Sequence, residues 1–215
     1  MKGVVILCLL LTAVVQAVCQ GMMNPMGMQR SMMISPGVLL QQADFKKELK
    51  LDKDQTKAID EIVKNHRKRM DDLAKSMQSN SAGALAGFKA MEDLNAETDA
   101  KVSAVLTPEQ KARFRELQWQ CLGFRALYEE DLQKKLGLSE SQLATLKQIQ
   151  AGESSRMMQA MQGKGGAEMG KSMKKFREET AKLVMDVLTP EQIAAHTAAL
   201  GKELKAAKRM SEVGM

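Results

Sequence analysis

The chain has few aromatic residues and few residues that bind metals. Aromatic side chains make up 3% of its 215 residues, and it has three Cys and two His. A core with so few aromatics must be built mainly from Leu, Ile, Val, Met and Ala, which favours thin helical assemblies over a β-sandwich. Three Cys exclude a disulfide framework, and His66 and His196 are too far apart in sequence to indicate an ordinary zinc site.

The sequence also lacks the motifs of the common enzyme classes. It contains no HExxH, CxxC, GxSxG or phosphate-loop pattern. The glycine-rich stretch 163–170 does not follow a strand pattern, as a phosphate-binding loop would. We therefore expect no catalytic residues, no cofactor and no enzymatic activity.

Long apolar runs are absent except near the start. The largely apolar run Val4 to Val15 follows Lys2 and is too short to span a bilayer, so residues 1–17 are predicted to be a signal peptide. Cleavage after Cys19 is an alternative, and lipidation at Cys19 is a third. No later stretch predicts a membrane span, so we expect a periplasmic or secreted protein. Cys121 is then expected to be a small buried apolar residue, with an intermolecular disulfide as the alternative.

The net charge of +6 is not concentrated on one helical unit. Residues 39–122 hold 15 basic and 14 acidic side chains, and residues 123–205 hold 13 and 11. No basic face suited to phosphate groups emerges, so we expect no nucleic-acid partner.

An internal repeat dominates the remaining sequence. Residues 39–51 align with 126–138 at an offset of 87, with five identities in thirteen, and 105–110 recur unchanged as 187–192 at an offset of 82. Apolar residues at steps of three and four follow each repeat start and predict long helices. A polar stretch near residues 79–83 and the glycine-rich stretch 163–170 predict the hairpin loops. Short connecting helices are expected at 41–50 and 124–136.

Four segments share a Leu-cap-x-x-Gln pattern that predicts helix starts. Asp, Thr or Ser at the cap accepts from the first turn, while Gln three residues later reaches back to the N–H group of the cap residue. Pro108 and Pro190 then fall at the first helical position. The capping residues are Leu51, Asp52, Gln55, Leu106, Thr107, Gln110, Leu138, Ser139, Gln142, Leu188, Thr189 and Gln192.

The paired motifs resemble the Leu-Thr-x-x-Gln hallmark of the Spy/CpxP family of periplasmic helical proteins. Two full matches, at 106–110 and 188–192, and two variants, at 51–55 and 138–142, cover about residues 39–205. The resemblance implies an all-helical cradle that binds unfolded envelope proteins without ATP, or a modulator of envelope stress. Two units in one chain depart from the family pattern, and assembly as a homodimer stays open.

Methionine is the second unusual feature. Six Met lie between Met22 and Met33, and five lie between Met157 and Met173. Flexible, polarisable Met suits binding of varied apolar segments, although Met157, Met161 and Met173 fall at helical spacing, which favours core positions. The candidate client-binding residues are Met70, Met77, Met157, Met158, Met161 and Met173. Thioethers also bind Cu(I), and the candidate copper ligands are Met22, Met23, Met26 and Met28.

Together these patterns predict an all-α protein of two tandem helical hairpins in an elongated bundle. The expected divisions are a signal peptide at 1–17, a flexible Met-rich arm at 18–38, helical units at 39–122 and 123–207, and a flexible tail at 208–215. His66 lies on an apolar stripe and is expected to be a hydrogen-bonded or partly exposed interface residue. The leading function is an ATP-independent chaperone or envelope-stress factor. A copper-responsive protein and a structural or adaptor protein are the alternatives.

Overall fold

The computed structural model describes residues 36–79, 84–163 and 165–213, and within them it contains ten α-helices, one 3-10 helix and no strand. The prediction of an all-α fold is confirmed. The signal peptide at 1–17 and the copper candidates lie outside the described residues. The helices are α1 (Pro36–Leu39), α2 (Ala43–Glu48), α3 (Lys53–Ser79), α4 (Ala84–Val105), α5 (Pro108–Leu122), α6 (Glu130–Lys135), α7 (Glu140–Met161), α8 (Gly166–Met185), α9 (Pro190–Ala199) and α10 (Lys205–Val213), and the 3-10 helix is Gly123–Tyr128.

The long helices pack in two pairs, which we call the first hairpin (α3 and α4) and the second hairpin (α7 and α8). In the first hairpin Nδ1 of His66 lies 2.9 Å from Oγ1 of Thr98, and Arg69 pairs with Glu97 at 2.7 Å. His66 is half-buried, as expected for an interface residue. No helix in the described part of the chain is both long and apolar enough to cross a bilayer.

Two hydrophobic clusters, the first core and the second core, lie at the open ends of the hairpins. Cys121 is 1% exposed within the first core, and this burial raises its thiol pKa to about 12. The first core consists of Leu39, Leu40, Phe45, Leu49, Ile59, Val63, Val102, Leu106, Phe114, Leu117, Cys121, Ala206 and Ala207. The second core consists of Trp119, Ala126, Leu127, Leu132, Leu136, Leu146, Val184, Leu188 and Ala199.

Each repeat contributes its last segment to the core of the other repeat. Trp119, near the end of α5, is buried in the second core, whereas Ala206 and Ala207 of α10 are buried in the first core. At the offset of 82, Leu122 aligns with Leu204. Leu122 packs against the second core and Leu204 against the first. The two repeats are therefore interlocked rather than independent.

The prediction of a flexible tail at the C-terminus is partly wrong. We expected residues 208–215 to be flexible, but α10 runs to Val213, and the thioether of Met210 accepts a hydrogen bond from Gln42 Nε2 at 3.3 Å. The tail charges are compatible with a surface helix, because α10 packs on α5 through the buried Ala206 and Ala207 and leaves Lys208 and Arg209 exposed. The preceding turn is tied to α5, since Gln120 donates to the carbonyls of Leu200 and Lys202 and accepts from Leu204 N–H.

The predicted boundary of the Met-rich arm also moves. The arm was expected to extend to residue 38, yet α1 begins at Pro36, and both Pro36 and Gly37 are buried. Proline is favoured at the start of a helix, where no backbone donor is required. Burial of Leu39 and Leu40 in the first core supplies the free energy that holds this short helix in place.

Candidate functional site

All four predicted capping boxes form in the structure. The N–H of Gln110 donates to the Thr107 hydroxyl at 3.3 Å, and the Thr107 N–H donates to the Gln110 side chain at 2.9 Å. The boxes at Ser139 and Thr189 have the same two bonds, and at Asp52 the carboxylate replaces the hydroxyl. These residues therefore satisfy backbone groups at the helix starts.

The motif glutamines do more than cap their own helices. Gln55 Nε2 donates to Gln110 Oε1 at 2.7 Å, and Gln110 Nε2 donates back to Gln55 Oε1 at 3.0 Å. In the second unit Gln142 and Gln192 make the same reciprocal pair, at 2.6 and 3.2 Å. Each pair joins the start of the first long helix to the start of the helix after its hairpin. The glutamines thus close the base of each hairpin.

Each pair also satisfies backbone carbonyls at the helix ends. Gln55 Nε2 donates to the Val105 carbonyl at 2.9 Å, and Gln110 Nε2 donates to the Leu49 carbonyl at 3.1 Å. Gln142 donates in the same way to Val187 at 2.8 Å. Helix ends leave carbonyls without intrahelical partners, so these amides replace water there.

The Leu residue that opens the first motif of each unit closes the preceding short helix. Leu51 N–H donates to Lys46 O and Lys50 N–H donates to Lys47 O, which is a Schellman arrangement. Leu138 and Gly137 repeat it at the end of α6. Lys50 has a φ of 50° and Gly137 a φ of 60°. The first unit therefore holds a lysine where the left-handed backbone favours glycine.

The candidate client-binding methionines differ in exposure. Met158 on α7 is 73% exposed. Met70, Met157, Met161 and Met173 are half-buried. The expectation that Met157, Met161 and Met173 are core residues is wrong, because the second core ends near Ile149 and beyond it the hairpin is two helices thick. The side chain of Met77 lies outside the described residues.

Exposed apolar residues in the second unit align with charged residues in the first. Met158 aligns with Asp71 at the offset of 87. Leu183 is 44% exposed and aligns with Lys101 at the offset of 82, and Ile193 is 39% exposed and aligns with Lys111. Comparison of the two repeats thus shows that these three exposed apolar side chains stand where the first unit has charged ones.

Two charged side chains of α7, Glu153 and Arg156, are held in contacts that partly bury them. Glu153 pairs with Arg125 at 2.8 Å and accepts a hydrogen bond from the Tyr128 hydroxyl at 2.6 Å. Burial and the bond to Glu153 raise the pKa of Tyr128 above its usual value. Arg156 folds back along α7 past Gly152, which has no side chain, and donates to the Ile149 carbonyl at 2.8 Å. These contacts leave Glu153 and Arg156 half-buried.

Neither histidine belongs to a cluster that resembles a metal site. Burial and the nearby Arg69 guanidinium lower the pKa of His66. His196 is 7% exposed, and burial lowers its pKa too. It aligns with Phe114, which explains its apolar surroundings. The described residues contain no group of three or more His, Cys, Asp or Glu side chains that could hold a metal ion.

The sequence predicted the caps but neither the glutamine pairs nor the exposed apolar residues that replace charges in the second unit. The pairs could have been suspected because each unit has one motif before its hairpin and one after it, and the exposed apolar residues from the loss of charge between the repeats. Comparisons with family models, with curated proteins and with solved structures found no match to this chain.

Proposed function

We propose that this protein is an exported, ATP-independent chaperone that holds unfolded proteins through exposed apolar side chains on its long helices. Single exposed apolar residues are ordinary on protein surfaces. Met158 carries the proposal because it is 73% exposed and its counterpart in the first repeat is a charged residue. Methionine is flexible and polarisable, so its side chain adapts to apolar partners of different shape.

The motif resemblance to the Spy/CpxP family supports the same proposal. The four boxes and their glutamine pairs hold the hairpins in place without occupying their outer faces. A rigid helical frame with adaptable side chains suits weak binding of many sequences better than binding of one small molecule.

The test is suppression of aggregation. The purified chain, without its first 19 residues, is mixed at an equimolar ratio with a chemically unfolded client, and light scattering is followed without nucleotide. The proposal predicts a clear reduction in scattering relative to an equal concentration of an inert helical protein. Unchanged scattering across several clients contradicts it.

A second candidate function, Cu(I) binding, rests on the cluster Met22, Met23, Met26 and Met28. Thioether sulfurs are soft ligands that favour Cu(I). Competition with a Cu(I) chelator should show binding by the mature chain and its loss when these four residues are replaced by Leu. If the variant still binds Cu(I), these four methionines are not the copper site.

A further inference from the structure

The outgoing helices of the two hairpins differ sharply in charge. Residues 56–75 of α3 include ten Asp, Glu, Lys or Arg residues, whereas the aligned residues 143–162 of α7 include three. Of those three, Glu153 and Arg156 are half-buried by the contacts described above, which leaves only Lys147 exposed. The half of α7 nearest the loop therefore has no exposed charge in the part that the structure describes.

We call the exposed residues at helical spacing on this half the outer face of α7: Gln150, Ala151, Ser154, Ser155 and Met158. Small polar side chains surround one large apolar side chain. An apolar partner can approach such a face without removing water from a charged group, whereas on α3 it would have to desolvate many. The free energy of docking an apolar segment is thus more favourable on the second hairpin.

The neighbouring helix supplies positive charge. Residues 166–177 of α8 contain four basic side chains and one acidic one, whereas the aligned residues 84–95 of α4 contain one basic and two acidic. Lys171, Lys174 and Lys175 are exposed. Lys174 and Lys175 reach Glu178 and Glu179 only at 3.8 and 3.6 Å, at the solvent surface, where such pairs are weak. These amines remain able to attract a carboxylate on a partner.

We propose that the second hairpin is the client-docking element of the chain, and that its preferred partner is an unfolded segment with apolar side chains next to carboxylates. This inference rests on the proposed chaperone function and names the site of that function. Apolar side chains of the segment contact Met158 near the loop end of α7 and Leu183 near the opposite end of α8, while carboxylates lie near the lysines of α8. The first hairpin, with its charged α3, serves as the frame. Opposite charge steers the partner to this face and weakens with added salt.

The test uses fluorescently labelled peptides that share one leucine-rich centre and differ in flanking residues, Glu in one and Lys in the other. Binding to the full mature chain is followed by anisotropy at two salt concentrations. We expect the Glu-flanked peptide to bind about tenfold more tightly at low salt, with the difference shrinking as the salt concentration rises. Equal binding, or tighter binding of the Lys-flanked peptide, contradicts the assigned charge preference.

The matched variants exchange residues between the repeats. Met158→Asp with Leu183→Lys places the first-unit residues on the second hairpin, and Ala74→Asp adds an exposed acidic residue to α3 as the control. Because all three positions are exposed, the variants should keep the wild-type unfolding midpoint. The double variant should weaken binding of the Glu-flanked peptide by about tenfold or more, since it removes two apolar contacts, and Ala74→Asp by less than about twofold.

The possible results distinguish a wrong docking site from a wrong proposed function. If the double variant suppresses client aggregation as well as wild type, or if Ala74→Asp abolishes suppression, the assignment to the second hairpin is overturned while the chaperone function stands. If wild type itself suppresses nothing, the proposed function has failed. Binding to phosphatidylglycerol vesicles but to neither peptide would overturn the peptide partner in favour of an anionic lipid surface.

Discussion

Gln55 and Gln110 donate a hydrogen bond to each other at 2.7 and 3.0 Å, although 55 residues separate them in sequence. The same relationship joins Gln142 and Gln192 in the second repeat. Each glutamine thus has three tasks: it caps its own helix, it binds the other motif, and it satisfies a carbonyl at a helix end. A single side chain with two donors and one acceptor suffices for all three.

We predict that Gln55→Ala lowers the free energy of unfolding by about 1–3 kcal/mol, because it leaves the Val105 carbonyl and the Gln110 amide without their partner. Gln110→Ala should cost a similar amount. The double variant should lose less than the sum, with a coupling of roughly 0.5 kcal/mol or more. Urea unfolding followed by circular dichroism measures each value.

Gln148→Ala, at an exposed position of α7, is the control and should change the unfolding free energy little. Strict additivity of the two glutamine variants would show that the pair contributes nothing beyond two independent caps.

We predict that Lys50→Gly stabilises the protein by about 0.5–1 kcal/mol. Lys50 has a φ of 50°, a left-handed conformation in which an L side chain is strained and glycine is not. The reciprocal change, Gly137→Lys, should destabilise by a similar amount. No atom lies within 4 Å of a Cβ built at Gly137, so backbone strain is the only cost there. Denaturant midpoints that shift in the same direction for both variants would contradict this explanation.

Helix starts and helix type could be predicted because their signals are local. A cap residue, a proline and a glutamine within five positions determine where α5 and α9 begin. The pairing of Gln55 with Gln110 could not be derived in this way, because it depends on how two helix ends meet. The same limit applies to Ala207, which lies close to Lys205, Lys208 and Arg209 in sequence and whose burial depends on a core formed by distant residues. The methionines near the loop were misplaced because periodicity shows which face is apolar but not whether a third helix covers it.

We predict that Ala207→Asp strongly destabilises the folded protein, because the two repeats interlock at this position. Ala207 is fully buried in the first core, so the variant places a carboxylate in an apolar site and should cost roughly 3 kcal/mol or more. Lys208→Asp on the same helix is the control, since its exposed pair with Glu203 contributes little. Thermal unfolding that leaves Ala207→Asp equal to the control would mean that α10 does not complete the first core.

We predict that the difference in stability between wild type and Asp99→Asn depends on pH. Burial raises its pKa to about 6 from a usual value of 3.8, and Oδ1 is buried without a hydrogen-bond partner. Between those values the folded state holds a proton that the unfolded state has released, so this contribution to stability falls as pH rises toward 6. Asp99→Asn should therefore stabilise the protein at pH 7.5, by on the order of 1 kcal/mol because solvent screens a partly exposed group, and have little effect near pH 4.

Urea unfolding of wild type and Asp99→Asn at both pH values measures this difference. The lowered pKa values of His66 and His196 act in the opposite direction, because protonation of the unfolded chain below about pH 6.5 favours unfolding. Their contribution is common to both proteins and cancels. A variant that is less stable than wild type at pH 7.5 would contradict the assigned burial cost.

Methyl resonances of methionine offer the most direct measurement of client binding. The chain is labelled at its Met methyl groups, Met158 is assigned by its loss in Met158→Leu, and an unfolded client is added. We expect the Met158 resonance to shift or broaden first, while those of Met70 and Met91 in the first hairpin change little. An unperturbed Met158 alongside shifted first-hairpin resonances, or no change at any methionine, would contradict it.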